Sequence, residues 1–82
     1  MVKDDGVLRE VTNEDIKLLE TNPEEFWEGV TEIGECAFFK CNYLENVTIG
    51  SNITTIRKRA FYECISMEKI VIPNNVLVIE SK

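Results

Sequence analysis

The sequence predicts an α+β repeat solenoid, with short parallel strands stacked behind an N-terminal helical cap. Three observations predict it. A 23-residue period runs through the second half of the chain, strand-like alternation recurs within each period, and two helix start signals precede the first one. The chain has 82 residues, a formal net charge of −6, no histidine and three cysteines. That length suits one small domain with a modest core. The absence of histidine removes imidazole-based triads and His-ligated metals. The acidic balance argues against nucleic acid as a partner, since phosphate binding needs a basic face.

The period is read by setting residues 30–52 against residues 53–75. Eight positions are identical: Thr31/Thr54, Ile33/Ile56, Ala37/Ala60, Phe38/Phe61, Cys41/Cys64, Glu45/Glu68, Ile49/Ile72 and Asn52/Asn75. Val30/Ile53, Phe39/Tyr62, Leu44/Met67 and Val47/Ile70 are conservative. Matches fall mainly on apolar positions, as they do when equivalent residues form ladders through a stacked core. Phe61 is therefore expected to fill a core position. Val76-Leu77-Val78-Ile79 begins a third copy. The expected organisation is a cap over 1–29, units over 30–52 and 53–75, and a truncated unit over 76–82.

Each unit carries its own local signals. Leu44–Ile49 alternates, with Val47 and Ile49 inward and Asn46 and Thr48 outward. Met67–Ile72 repeats this, with Ile70 and Ile72 inward and Lys69 and Val71 outward. Gly50-Ser51-Asn52 and Pro73-Asn74-Asn75 supply turns. Val30–Ile33, Ile53–Ile56 and Val76–Ile79 suggest a second line of strands, while Ala37–Cys41 and Ala60–Cys64 read as single helical turns.

The run Val30…Ile33…Ala37-Phe38…Cys41…Leu44…Val47-x-Ile49, repeated from Ile53 to Pro73, resembles the BspA-like (Treponema-type) leucine-rich repeat. The resemblance covers residues 30–79. It implies a short leucine-rich repeat array and a protein-binding role of the kind found in adhesion-linked surface proteins. Gly50 stands where the pattern usually has Pro, Met67 replaces Leu, and the third unit ends before its own Ala-Phe.

In the N-terminal part, Thr12 with an acid three residues on approximates a capping box, and Val11 with Ile16 fits a hydrophobic staple. Asn22, Pro23, the acids at 24 and 25, and Gly29 start and stop a second helix. Helices are thus expected at about 13–20 and 23–28. Ile16, Leu19, Phe26 and Trp27 would cover the first unit; an exposed aromatic patch is the alternative reading of the last two. Residues 1–35 carry eleven acids and three bases, hence −8; residues 36–82 carry four acids and six bases, hence +2. A solvated acidic face is the plain reading. A head-to-tail contact of acidic end with Arg57-Lys58-Arg59 is the sharper one.

No chemistry-bearing constellation emerges. The cysteines lack C-x-x-C spacing and read as buried thiols rather than as a disulfide or zinc site. Adjacent carboxylates at Asp4/Asp5 and Glu24/Glu25 do not face each other on a helix. Asn46-Val47-Thr48 and Asn52-Ile53-Thr54 match a glycosylation sequon, which carries meaning only in a eukaryotic secretory setting. The expected function is a non-enzymatic protein-interaction module with no cofactor, no catalytic or metal residues and no membrane insertion. Its binding face is the outward strand face at Asn46, Thr48, Lys69 and Val71. The alternative is a self-assembling module, a dimer through the C-terminal edge at Val76, Val78 and Ile79. The compartment would be cytoplasmic for a complete chain, and the cell surface for a fragment of a BspA-like surface protein.

Overall fold

The computed structural model describes residues 1–42 and 44–80; Ser81 and Lys82, the last of the expected third unit, lie outside the described residues. In chain order the elements are β1 (Val2–Asp4), β2 (Val7–Arg9), α1 (Asn13–Thr21), α2 (Pro23–Trp27), β3 (Glu32–Ile33), β4 (Asn46–Thr48), β5 (Thr55–Ile56), β6 (Lys69–Val71) and β7 (Val78–Ile79). One sheet has the order β1-β2-β3-β5-β7, and a second pairs β4 with β6. All pairings are parallel except β1 with β2. The 23-residue period sets the register. Ile33, Ile56 and Ile79 are consecutive partners, as are Val47 and Ile70. Both expected lines of strands are present.

The stack begins earlier than the repeat pattern. Asp5 and Gly6 both have positive φ (54° and 80°), so β1 and β2 form a two-residue hairpin. A primed turn of this kind matches strand twist and is favoured by Asp-Gly. β2 then pairs parallel with β3, Leu8 against Ile33. The N-terminal segment is thus a strand-and-helix unit, where the sequence pointed to helices alone. Lys3 on β1 ties the two together: its Nζ donates to the carbonyls of Glu25 (3.0 Å) and Glu28 (3.1 Å) at the end of α2. A cation there complements the helix terminus.

The two helices form where the capping signals place them. Thr12 Oγ1 accepts from the Asp15 amide, and Asp15 Oδ2 accepts from the Thr12 amide, completing the capping box. Burial pushes the Asp15 carboxyl up, but the Thr12 amide and hydroxyl and the terminal amine together outweigh it and hold the group below its ordinary value. Asn22 Oδ1 accepts from the Glu25 amide to start α2. Ile16, Leu19, Phe26 and Trp27 are all buried, so the aromatics are core rather than a surface patch.

The turns at 36–41 and 59–64 differ from the expected helical turns. Cys36, Lys40, Arg59 and Glu63 adopt left-handed φ of 57–60°. Successive i to i+3 bonds run Ala37 N–H to Gly34, Phe39 N–H to Cys36 and Cys41 N–H to Phe38, and repeat 23 residues later. A left-handed residue breaks a right-handed helix, so the chain folds into chained tight turns. This geometry brings Phe38 inward and leaves Phe39 half out.

One core joins the N-terminal segment to the ladder. Phe38 is fully buried, with Phe26 at 6.1 Å, Trp27 at 6.3 Å and Phe61 stacked at 4.7 Å between ring centroids. The ladder opens toward the C-terminal side. Phe61, Cys64, Met67 and Ile70 are only partly buried, and Ile72, expected inward, is exposed. Burial of an inward residue requires the following neighbour in the stack, and these have none among the described residues.

Gly50 departs from the family-like pattern for a steric reason. A Cβ there would stand 2.7 Å from Cγ and 2.8 Å from Cβ of Trp27, so the Trp27 side chain packs directly against the glycine backbone. Gly50→Ala is expected to destabilise by about 1–3 kcal/mol through overpacking, read as a lower urea midpoint with altered tryptophan fluorescence; an unchanged midpoint contradicts the contact. Phe38→Ala is expected to cost about 3–5 kcal/mol and the half-buried Phe61→Ala about 1–3. Chemical denaturation of both variants checks that order, and equal losses would contradict the open-ended ladder.

Candidate functional site

The β4–β6 sheet places four of the sequence-predicted site residues on one face. Asn46 pairs with Lys69 and Thr48 with Val71, and all four are exposed. Between them Val47 is buried and Ile70 half-buried, so period-two alternation produces the face. Below it, the Glu45 carbonyl accepts from the Glu68 and Lys69 amides at 2.7 and 3.2 Å. The result is a small patch with amide, hydroxyl, ammonium and one 43% exposed apolar side chain, Val71.

The predicted edge residues gather at the other sheet's end. Val78 pairs with Thr55 and Ile79 with Ile56, and both are exposed; Val76 is half-buried against the core. Leu77 is 82% exposed and was not among the expected site residues. The signal was available, since Leu77 falls one period after Thr31 and Thr54, where an outward position had been polar.

A second feature was missed on the turns. Phe39 and Tyr62 are both exposed and stack at 5.7 Å with their planes 5° apart. Lys40 Nζ lies 5.2 Å from the Phe39 ring centre, and the Arg59 guanidinium 5.9 Å from that of Tyr62. Cations over ring faces are favourable here because ring quadrupoles are negative above the plane. The residue after each inward Phe, Phe38 or the half-buried Phe61, points the other way where the turn is left-handed at Lys40 and Glu63.

The basic run does not form a free cluster. Arg57 Nε lies 2.8 Å from Glu32 and Arg57 Nη1 2.9 Å from Glu80. The hydrogen bond to Glu32, then that to Glu80, raise the guanidinium's pKa. The Lys58 amide, and then Arg57, hold the Glu80 carboxyl below its ordinary range. Arg57 thus bridges the sheet within the chain, and the side chain central to a head-to-tail contact with the acidic end is already engaged.

The cysteines act as packing and donor groups. Cys41 Sγ donates to the Val11 carbonyl (3.6 Å) and Cys64 Sγ to the Phe38 carbonyl (2.9 Å). All three are free thiols. Burial, reinforced by Cys64, pushes Cys41 up to about 11, and burial raises Cys64 as well. Among the described residues no group of three metal-ligating side chains gathers, and no helix is long and apolar enough to cross a membrane. A groove of about 450 Å³ runs between α2 and the 48–52 turn, with Trp27 on its wall; the buried Trp27 Nε1 has no hydrogen-bond partner among the described residues.

Comparison with protein families gives a match over residues 19–82 to the BspA type leucine rich repeat region, a model of six copies. The chain belongs to the BspA-type leucine-rich repeat family. The match reaches back from the repeat pattern into the last residues of α1 and through α2, whose Phe26 and Trp27 lie beside Phe38. No curated protein and no solved structure matches the chain. As a leucine-rich repeat, the fold belongs to a class that generally serves protein–protein interaction. In this BspA-type repeat the repeated cysteine position serves a thiol-to-carbonyl bond, Cys41 to Val11 ahead of α1 and Cys64 to Phe38 in the preceding turn.

Thiol labelling checks this environment. With iodoacetamide at pH 8, Cys36, which is partly exposed, is expected to label well before Cys41, whose thiolate fraction is small. Peptide mass spectrometry reads the order; Cys41 labelling first would contradict its burial.

Proposed function

We propose that this leucine-rich repeat is a non-enzymatic protein-interaction module that binds through the outward face of β4 and β6. The observation that carries the reading is the alignment of Asn46, Thr48, Lys69 and Val71 on one exposed strand face over a buried Val47 and Ile49. Buried neighbours fix the backbone, so the face meets a partner with little ordering cost. Residues 1–29 act in this reading as a cap, residues 30–52 and 53–75 as the units that build the surface, and 76–82 as the start of a third. The chain has no histidine and so no imidazole base, in keeping with a binding role. BspA-like repeats occur in adhesion-linked surface proteins, which supports placing this chain in a protein of that type.

A face of two strands is smaller than the roughly 800 Å² per partner of a standard interface. Binding through it is therefore weak unless several copies act together. Self-association is the second reading. It is favoured by the exposed apolar side chains at the end of the stack, with Leu77 82% and Ile79 57% exposed.

A binding comparison tests the first reading. Partners captured by the wild-type chain through photo-crosslinking are expected to be lost with Thr48→Arg/Val71→Arg, and kept with Glu14→Arg on α1. Capture that survives the strand-face change and fails with the α1 change would overturn the proposed surface.

A further inference from the structure

We infer that the groove between α2 and the 48–52 turn docks an arginine side chain carried on an extended segment of a partner protein. The inference goes beyond the strand-face reading and uses a different surface, with Thr48 the one residue common to both.

The groove is walled on both sides by the interior of the chain. α2 with Glu28 forms one wall, and the end of β4 with the turn after it forms the other. Its volume is about 450 Å³, within the range of small-ligand sites. Pro23, Trp27 and Ile49 give it apolar walls, and Glu24, Glu28 and Asn52 bring polar groups. A second depression shares Glu24, Glu28 and Asn52 and adds Glu25. The walls are set before a ligand arrives. Trp27 and Ile49 are buried, Gly50 packs against Trp27, and the Ser51 carbonyl accepts from the Asn75 side chain. A preformed wall spares a ligand the cost of ordering it.

The charge of the groove selects a cation. No lysine or arginine lines either depression. Elsewhere exposed acids are met by bases: Glu14 by Lys17, Glu63 by Lys40, and Glu80 by Arg57. Glu24, Glu25 and Glu28 form no ion pair among the described residues. Glu25 Oε1 accepts only from Asn22 Nδ2, at 3.3 Å. Lys3 gives its ammonium to the Glu25 and Glu28 carbonyls rather than to a carboxylate. Nor does the helix gain from these acids. Glu24 and Glu28 are like charges four residues apart, and Glu28 caps the C-terminal end, where an anion opposes the dipole.

Arginine fits this combination. Its methylene stem lies along apolar walls while its head reaches carboxylates, and the guanidinium fork engages two of them at once. The chain holds one such arrangement already, with Arg57 between Glu32 (2.8 Å) and Glu80 (2.9 Å). The carrier is a peptide rather than a free polyamine. Trp27, only 8% exposed, keeps a buried Nε1 donor without a partner among the described residues. An unpaired donor gains from an acceptor. A peptide brings carbonyl oxygens, whereas a polyamine brings none. Because Nε1 is covered, pairing it requires the indole to shift.

Titration of the isotope-labelled 82-residue chain at low ionic strength tests the inference, with the end-capped peptide Gly-Ser-Arg-Ser-Gly as probe. Saturable binding with Kd on the order of 1 mM is expected. Amide shifts should centre on residues 23–28 and 48–52, with a change in emission of Trp27, the single tryptophan. Glu24→Gln/Glu28→Gln is expected to weaken binding at least about fivefold with unchanged far-UV circular dichroism. Glu14→Gln/Glu20→Gln on α1, the same change in net charge, is expected to leave it within about twofold. Equal weakening by both pairs, or no saturation, overturns the groove. A lysine version of the peptide, or spermidine, binding as tightly overturns the arginine-peptide occupant. The same shifts on concentrating the chain alone would give the groove to a second copy, and overturn it too. Shifts confined to β4 and β6 that vanish with Val71→Arg would overturn the inference while leaving the strand-face reading standing.

Discussion

Phe38 is the contact on which the rest of the molecule depends. Its ring is fully buried where the aromatic cluster of α2 meets the ladder of the repeat. Its backbone is committed as well. The amide donates to Ala60 and the carbonyl accepts the Cys64 thiol. One residue therefore couples α2, the first turn and the second turn. Removing the ring would leave a cavity that three elements share, and a cavity of that kind collapses poorly.

From that point the interactions propagate with a direction. Each unit sends amides forward from its turn and accepts amides at its strand, and its cysteine reaches back to the preceding turn. Val11 takes this backward role for the first unit, since its amide donates to Ala37 and its carbonyl accepts the Cys41 thiol. The N-terminal segment thus imitates a repeat without sharing its sequence. At the other end the same bonds have no successor among the described residues, and buried residues give way to half-buried ones. In nearest-neighbour terms each unit is held by the interfaces it shares, so a unit with one interface is the less stable. The exposed strand face and the weakly held end are then consequences of one rule applied along the stack.

How much of this the sequence carried follows from what each feature depends on. The 23-residue period was legible because ladder positions such as Ile33/Ile56 and Phe38/Phe61 must accept the same shape. The outward set Asn46, Thr48, Lys69 and Val71 was legible because strand alternation is local. The β1–β2 hairpin was missed although Asp5-Gly6 marks it, because β2 pairs with β3 at an offset of 25, outside the period. The left-handed residues were hidden because Cys36, Lys40, Arg59 and Glu63 are none of them glycine. Ile72 was read as inward from alternation alone, whereas its burial depends on a neighbour that alternation cannot report. The exposed Phe39–Tyr62 stack was invisible for the same reason as the turns that position it.

Native-state hydrogen exchange on the inter-unit amides tests the central claim most directly. Phe38 and Arg57 donate next to the Phe38 core, while Leu77 and Glu80 donate at the open end. Protection is expected to fall along the stack, with Phe38 and Arg57 exchanging only by global unfolding and Leu77 and Glu80 by local opening. Protection that is uniform along the four amides, or highest at Leu77 and Glu80, would contradict a fold held from Phe38 outward.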